Sequence, residues 1–169
     1  MVRMQVHRVG VDPQRQAPFV LLADDEVRRL LPIYIGLPEA NAIAAQLQER
    51  SFPRPLTHDL LRAVIEELGG RLDHVAVTAL AESTFYATLH LEADGRFLQI
   101  DARPSDAIAL ALRAAAPIFV AEEVLQEAQV LYDELRSASE DAEELGRLRE
   151  LLDDLPAEAE LLHGEDLEE

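Results

Sequence analysis

The stretch PSDAIALALRAAA, residues 104–116, constrains the fold more than any other. It predicts a helix that is apolar almost all round from Ala107 to Leu112, so it has no face to offer to water and has to be buried against a sheet. Burying it demands a sizeable core. The chain has 169 residues, 49% of them hydrophobic, which is enough for one domain with an appendage and excludes wholesale disorder.

The sheet is legible around that helix. Residues 2–9 read as a strand and APFVLLA, 17–23, as a second. VRRLLPIYIG, 27–36, reads as a third; Pro32 removes a ladder donor, which puts it at an edge or a bulge. From Pro38 to Arg50 the pattern turns helical, with Pro38 suited to the first turn and Ala40, Ile43, Ala44 and Leu47 on one stripe. A second helix follows FPRPLTHD, residues 52–59: Leu60, Leu61, Val64, Ile65 and Leu68 recur at the helical period, Thr57 suits the N-cap and Gly69-Gly70 the stop. Strands are then expected over 75–80, 84–93 and 96–102, the last two joined by Asp94-Gly95, a strong hairpin signal. PIFVA, 117–121, suits a short inner strand. The fold class is therefore α/β of the α+β kind: a mixed, largely antiparallel sheet with helices packed on it, followed by acidic C-terminal helices.

The C-terminal third differs in charge. Residues 1–120 hold 15 acids and 12 arginines, whereas residues 121–169 hold 18 acids and 3 arginines, nearly all of the net −18. We expect a main domain over 1–125, an acidic helical segment over 126–155 in which Leu145, Leu148, Leu152 and Leu155 are spaced like two heptads of a pairing seam, and a flexible tail over 156–169. Such acidity weighs against phosphate-backbone binding and suits a basic protein partner for the tail. Cysteine is absent, which excludes disulfides and thiolate metal sites. The N-terminus alternates polar and apolar residues, and no segment approaches the roughly 18 apolar residues of a membrane span. The expectation is a cytoplasmic protein without membrane contact. There is no phosphate-loop or dinucleotide glycine pattern, so no organic cofactor is expected.

Two places share one design. Arg54-Pro55 and Arg103-Pro104 each precede a helix, and each helix carries an aspartate in its first turn, Asp59 and Asp106; Asp101 ends the strand leading into the second site. If the two helix starts converge, they form a phosphodiester site. Asp59, Asp101 and Asp106 would hold a divalent cation, His58 would act as acid or base, and Arg54 and Arg103 would neutralise phosphate charge. A plainer account stands beside this one. First-turn aspartates are stabilised by the helix dipole without any function, Arg-Pro sets the angle at which a chain enters a helix, and the helical wheel puts His58 on the border of its apolar stripe.

LPIYIG (31–36), FPRPLTHDLL (52–61), STFYATL (83–89) and IDARPSDAIALALRAAAPIFV (100–120) resemble the bifunctional nuclease domain family, in order, over roughly residues 3–125. The resemblance implies a compact α/β domain, association as a homodimer, and cleavage of DNA and RNA. By motif it points to Arg54, Thr57, His58 and Asp59 in the first block, and to Asp101, Arg103, Ser105 and Asp106 in the second. Two functions follow as expectations. One is a nuclease assisted by Mg²⁺ or Mn²⁺, with His58, Asp59, Asp101 and Asp106 catalytic, the three aspartates holding the metal, and Arg54, Thr57, Arg103 and Ser105 binding substrate. The other is a non-catalytic homodimeric binding or regulatory module, in which the same residues serve as caps and interface ion pairs.

Overall fold

The computed structural model describes residues 1–12 and 15–129. Its elements in chain order are β1 (Val2–Asp12), β2 (Ala17–Ala23), β3 (Leu30–Tyr34), α1 (Leu37–Leu47), α2 (Thr57–Glu67), β4 (Gly70–Ala81), β5 (Thr84–Ala93), β6 (Arg96–Ala102), α3 (Pro104–Ala114) and β7 (Ile118–Val120). Residues 122–129 form a further helix, α4. The remainder of the acidic segment, the leucine spacing over 145–155 and the tail lie outside the described residues.

The seven strands form one mixed, mostly antiparallel sheet in the order β3-β2-β1-β7-β4-β5-β6. It is two three-stranded meanders joined by β7, which runs antiparallel to β1 and parallel to β4. That role explains why a three-residue strand is buried at both ends: Ile118 pairs with Met4 on one side and Val75 on the other, Val120 with Val2 and Val77. All six side chains belong to the core. Of the two places expected for Pro32, an edge or a bulge, the structure has the edge: Pro32 sits on β3, which has β2 on one side and, among the described residues, no strand on the other.

The helix α3 is the centre of the core. Ala107, Ile108, Ala109, Leu110 and Ala111 are all buried, and α3 packs on β4 and β5 below and on α1 and α2 at its flanks. Burial of Ile108 and Leu110 alone contributes on the order of 1.5–3 kcal/mol each. The three helices α1, α2 and α3 share one face of the sheet, where the buried residues Leu22, Val75, Val77, Leu89 and Leu91 lie.

Two features depart from the sequence expectation. The N-cap of α2 is Leu56, with Thr57 the first helical residue. The Leu56 N–H donates to Asp59 Oδ2 at 2.8 Å, so a carboxylate in the first turn performs the capping expected of the Thr57 hydroxyl. The apolar stripe of α2 is also displaced. Ile65 packs against the core, whereas Leu60, Leu61, Val64 and Leu68 are exposed, and His58 is the buried residue of the helix.

The β5–β6 hairpin turns through Asp94 at φ 51° and Gly95 at φ 70°, the pair of positive angles that a type I′ turn needs. A Cβ on Gly95 would meet no atom within 4 Å. Gly95→Ala therefore tests conformation alone: we expect a loss of about 1 kcal/mol, measured as a lower urea midpoint at unchanged slope.

Candidate functional site

The starts of α2 and α3 meet. His58 Nε2 lies 3.1 Å from Asp106 Oδ1 across 48 residues of sequence. A carboxylate only accepts, so Nε2 carries the proton and Nδ1 of the neutral ring keeps a lone pair. The second oxygen of Asp106 accepts from Arg103 Nε at 2.7 Å. The same guanidinium donates through NH2 to Glu39 Oε1 at 2.8 Å, which brings the first turn of α1 into the cluster. The ends of all three helices thus converge on Arg103. Its side chain remains 67% exposed, so of five N–H donors the three not used in these bonds are open to an anion.

Glu39 was not singled out by sequence reasoning, although a signal existed: Pro38-Glu39 repeats the proline-then-acid start of the other two helices. Gly36 leaves room for it, since a Cβ there would collide with the Glu39 carboxylate.

Asp59 belongs to a second cluster. Its Oδ1 accepts from Arg113 Nε at 2.6 Å, while Oδ2 caps Leu56. Arg113 is the one cation in α3, with its side chain 3% exposed. Its other donors reach the carbonyls of Ala109 and Ala42, at 2.9 and 3.1 Å. The Arg113 carbonyl accepts from Arg62 NH1 at 2.8 Å. These bonds clamp α1, α2 and α3 together. A lone arginine in a buried helix has to find a carboxylate, which is the signal in the sequence that could have predicted this clamp.

The remaining candidates are dispersed. Asp101 pairs in register with Thr88, which stands opposite Ala76, so its side chain projects from the sheet face away from the helices; Ile100 and Ala102, on the helix-bearing face, stand opposite Leu89 and Ala87. Asp101 and Asp106 are thereby separated by the sheet. Arg54 and Thr57 are exposed, and Ser105 is buried in the first turn of α3. The three aspartates expected to share a cation are not assembled, and among the described residues no group of three or more His, Asp or Glu side chains is arranged to hold a metal ion. On the open sheet face His74 and His90 stack at 3.9 Å, with His74 Nδ1 bonded to Asp73 at 2.8 Å. Burial and the neighbouring imidazole both hold His90 below the ordinary histidine value.

Electrostatics keep the clusters charged. Burial pushes the Asp106 carboxyl up, but the hydrogen bonds and charges of Arg103 and His58 outweigh it and hold it below the ordinary value. For Asp59, burial is likewise overcome by the Leu56 N–H and by Arg113.

A model of the bifunctional nuclease domain matches residues 20–133. Uncharacterized proteins from two strains of Mycobacterium tuberculosis are 40% identical to this chain over 157 residues, covering 90% of it and 94% of their own length. A rice protein, bifunctional nuclease 1 of Oryza sativa subsp. indica, is 30% identical over 104 residues, covering 60% of this chain and 31% of its own. Bifunctional nuclease 2 of Arabidopsis thaliana is 29% identical over 104 residues, covering 60% and 32%. The chain thus aligns with about a third of each plant protein.

Both depressed carboxyls give stability that is complete above the unfolded value of 3.8 and is lost as pH falls through the lower folded value. The pair Asp59→Asn and Asp106→Asn should flatten the fall in melting temperature below about pH 4. At neutral pH, Asp59→Ala leaves Arg113 buried with carbonyls alone. Asp59 keeps 35% of its side chain exposed, so the expected loss is about 3 kcal/mol, the low end for breaking a buried pair. Chemical denaturation measures it; Arg113→Met, which removes the charge itself, should cost less.

Proposed function

The chain belongs to the bifunctional nuclease domain family, and on that footing we propose that it is a nuclease that hydrolyses phosphodiester bonds of DNA and RNA at the cluster of His58, Asp106 and Arg103. The observation that carries this reading is the 3.1 Å bond between His58 Nε2 and Asp106 Oδ1. A carboxylate that fixes the tautomer of an imidazole leaves the opposite ring nitrogen basic, one of the arrangements in which histidine serves as general base.

Each group then has a task. The free donors of Arg103 bind the non-bridging phosphate oxygens, and they concentrate positive charge where negative charge grows in the transition state. His58 Nδ1 takes a proton from a water molecule as its oxygen forms the new bond to phosphorus. The bond from phosphorus to the leaving sugar oxygen breaks, the oxygen keeps the electron pair and takes a proton from solvent water, and the imidazolium returns its proton to solvent. Asp106 stays ionised throughout and stabilises the imidazolium. Glu39 positions Arg103. No step runs through Asp101 or through a set of three aspartates, because the chain does not bring them together.

The protein would act as a homodimer in the cytoplasm. No helix among the described residues is long and apolar enough to cross a membrane. The acid-rich segment after residue 120 repels phosphate and suits a basic protein partner.

One observation favours a second reading. The His58 side chain is only 10% exposed, and every carboxylate of the cluster already has a cationic partner, so the same contacts work as a clasp between helices in a non-catalytic module.

The two readings separate in one experiment on labelled single strands. His58→Asn and Asp106→Asn are each expected to reduce cleavage by at least about 100-fold, the scale of general acid–base catalysis, when assayed well below their own melting temperatures, where circular dichroism shows each variant folded. Asp101→Ala should retain wild-type activity and the wild-type response to Mg²⁺ or Mn²⁺. Cleavage that survives both substitutions overturns the nuclease assignment to this cluster. Loss of melting temperature without any cleavage in the wild type supports the clasp.

A further inference from the structure

The turn that ends α1 is built without glycine. Glu49 adopts φ 51°, in the left-handed region that favours glycine, and the Glu49 and Arg50 N–H groups donate back to the Gln46 and Ala45 carbonyls at 3.1 and 2.9 Å. This is the Schellman arrangement, and it reverses the chain so that residues 50–52 return beside the helix they have just left. Leu37, Asn41, Ala45 and Gln48 recur at three- and four-residue spacing on one face of α1. Between that face and Arg50 and Phe52 lies a cavity of about 200 Å³.

The chemistry of its lining is specific. Leu37 and Phe52 supply exposed apolar surface. Asn41 and Gln48 bring amide donors and acceptors and Arg50 a guanidinium, and among the described residues none of these three side chains is engaged in a hydrogen bond or ion pair. Arg54, two residues beyond Phe52, is exposed and likewise without a partner among them. The chain has 33 acids to 15 bases, so guanidinium groups left unpaired beside an aromatic ring call for an anionic ligand. Two amides suit a planar edge that both donates and accepts. A nucleotide combines ring, edge and charge. The volume admits one ring system and falls short of the roughly 300 Å³ at which sites for larger ligands begin.

We propose that this cavity binds one unpaired base of the strand whose phosphate lies on Arg103, with Phe52 stacking on the base, Asn41 and Gln48 bonding its edge, and Arg50 and Arg54 holding the neighbouring phosphates. The identity of the strand rests on the nuclease reading above. The cavity is a place apart from the cleavage cluster: at roughly 100° per residue, Glu39 projects from the opposite side of α1 to the Leu37–Gln48 face. The chain connects the two. Pro53 and Pro55 fix φ and keep the residues before them extended, Leu56 is extended and caps α2, and His58 lies in the first turn. Six residues span at most about 22 Å, with Arg54 between Phe52 and His58 along the path. A base within a duplex is paired at its edge and stacked on its faces, so the cavity selects single strands.

The chain has no tryptophan, so Phe52→Trp places one reporter in the cavity. It is made in the full chain together with His58→Asn, so that no strand is cut during titration. A short single strand of deoxyadenylates is expected to quench the tryptophan, whereas an abasic strand of the same length and a duplex are not. Leu68→Trp, at the far end of α2, should stay unquenched. Asn41→Ala combined with Gln48→Ala should weaken binding about tenfold with unchanged circular dichroism. Arg50→Ala should lower the slope of log affinity against log salt by roughly 0.7, one phosphate contact. Absence of quenching by the single strand, equal quenching by the abasic strand, or equal quenching at Leu68→Trp overturns the proposal. Adenosine monophosphate binding as tightly as the strand also overturns it, since the base would then belong to a free nucleotide. Quenching in a protein whose wild type cleaves nothing would leave the base site standing while the nuclease reading fails; cleavage without quenching would do the reverse.

Discussion

The burial of α3 governs the arrangement of everything else. A helix with no polar face from Ala107 to Ala111 has to be covered on every side, and the sheet can cover only one. The flanks fall to α1 and α2, whose own sequences offer small and polar residues toward it. The link from β6 into α3 is a single residue, Arg103, so the edge strand, the start of α3 and the core are mechanically one piece. Close packing of three helices over β4 and β5 then dictates where their first turns lie.

Charge enters that packing as a clamp. Arg113 is buried in the central helix of the core and would be costly alone, so Asp59 and two carbonyls satisfy it. Arg103, at the other end of α3, performs a related task in a wetter setting, binding Asp106 and Glu39 while leaving donors exposed. The contrast lies in how far each carboxylate is committed to buried partners. Asp59 commits one oxygen to a cap and the other to a buried cation, so both serve the packing of the helices. Asp106 fixes an imidazole and neighbours an arginine that is open to solvent, which is the arrangement the proposed nuclease reading draws on.

Much of the fold was legible in advance, and the reasons are local. The boundaries of β2, β5 and β6 follow from alternation and turn chemistry, because Asp94-Gly95 permits little besides a tight hairpin. Pro32 announced an edge or a bulge, and the edge is what it occupies. The site was only half legible. That His58 and Asp106 would share a site was an expectation conditional on two helix starts meeting, and they do. Asp101 looked equivalent to Asp106 because it is near in sequence. In a strand, however, adjacent residues point to opposite faces, and which face holds the helices is decided by the register with β5. Glu39 and Arg113 went unremarked because their partners are 64 and 54 residues away.

By itself the sequence determined the kinds of elements, the hairpin and the necessity of burying α3, since propensity, periodicity and turn geometry act over a few residues. Membership of a nuclease domain family is likewise written in its motifs. Only tertiary structure decided which of the charged residues meet, because that depends on strand parity and helix packing across the whole core. It also decided that the stripe of α2 faces water and that β6, among the described residues, ends the sheet, since these follow from how much covering α3 requires and how the strands are ordered.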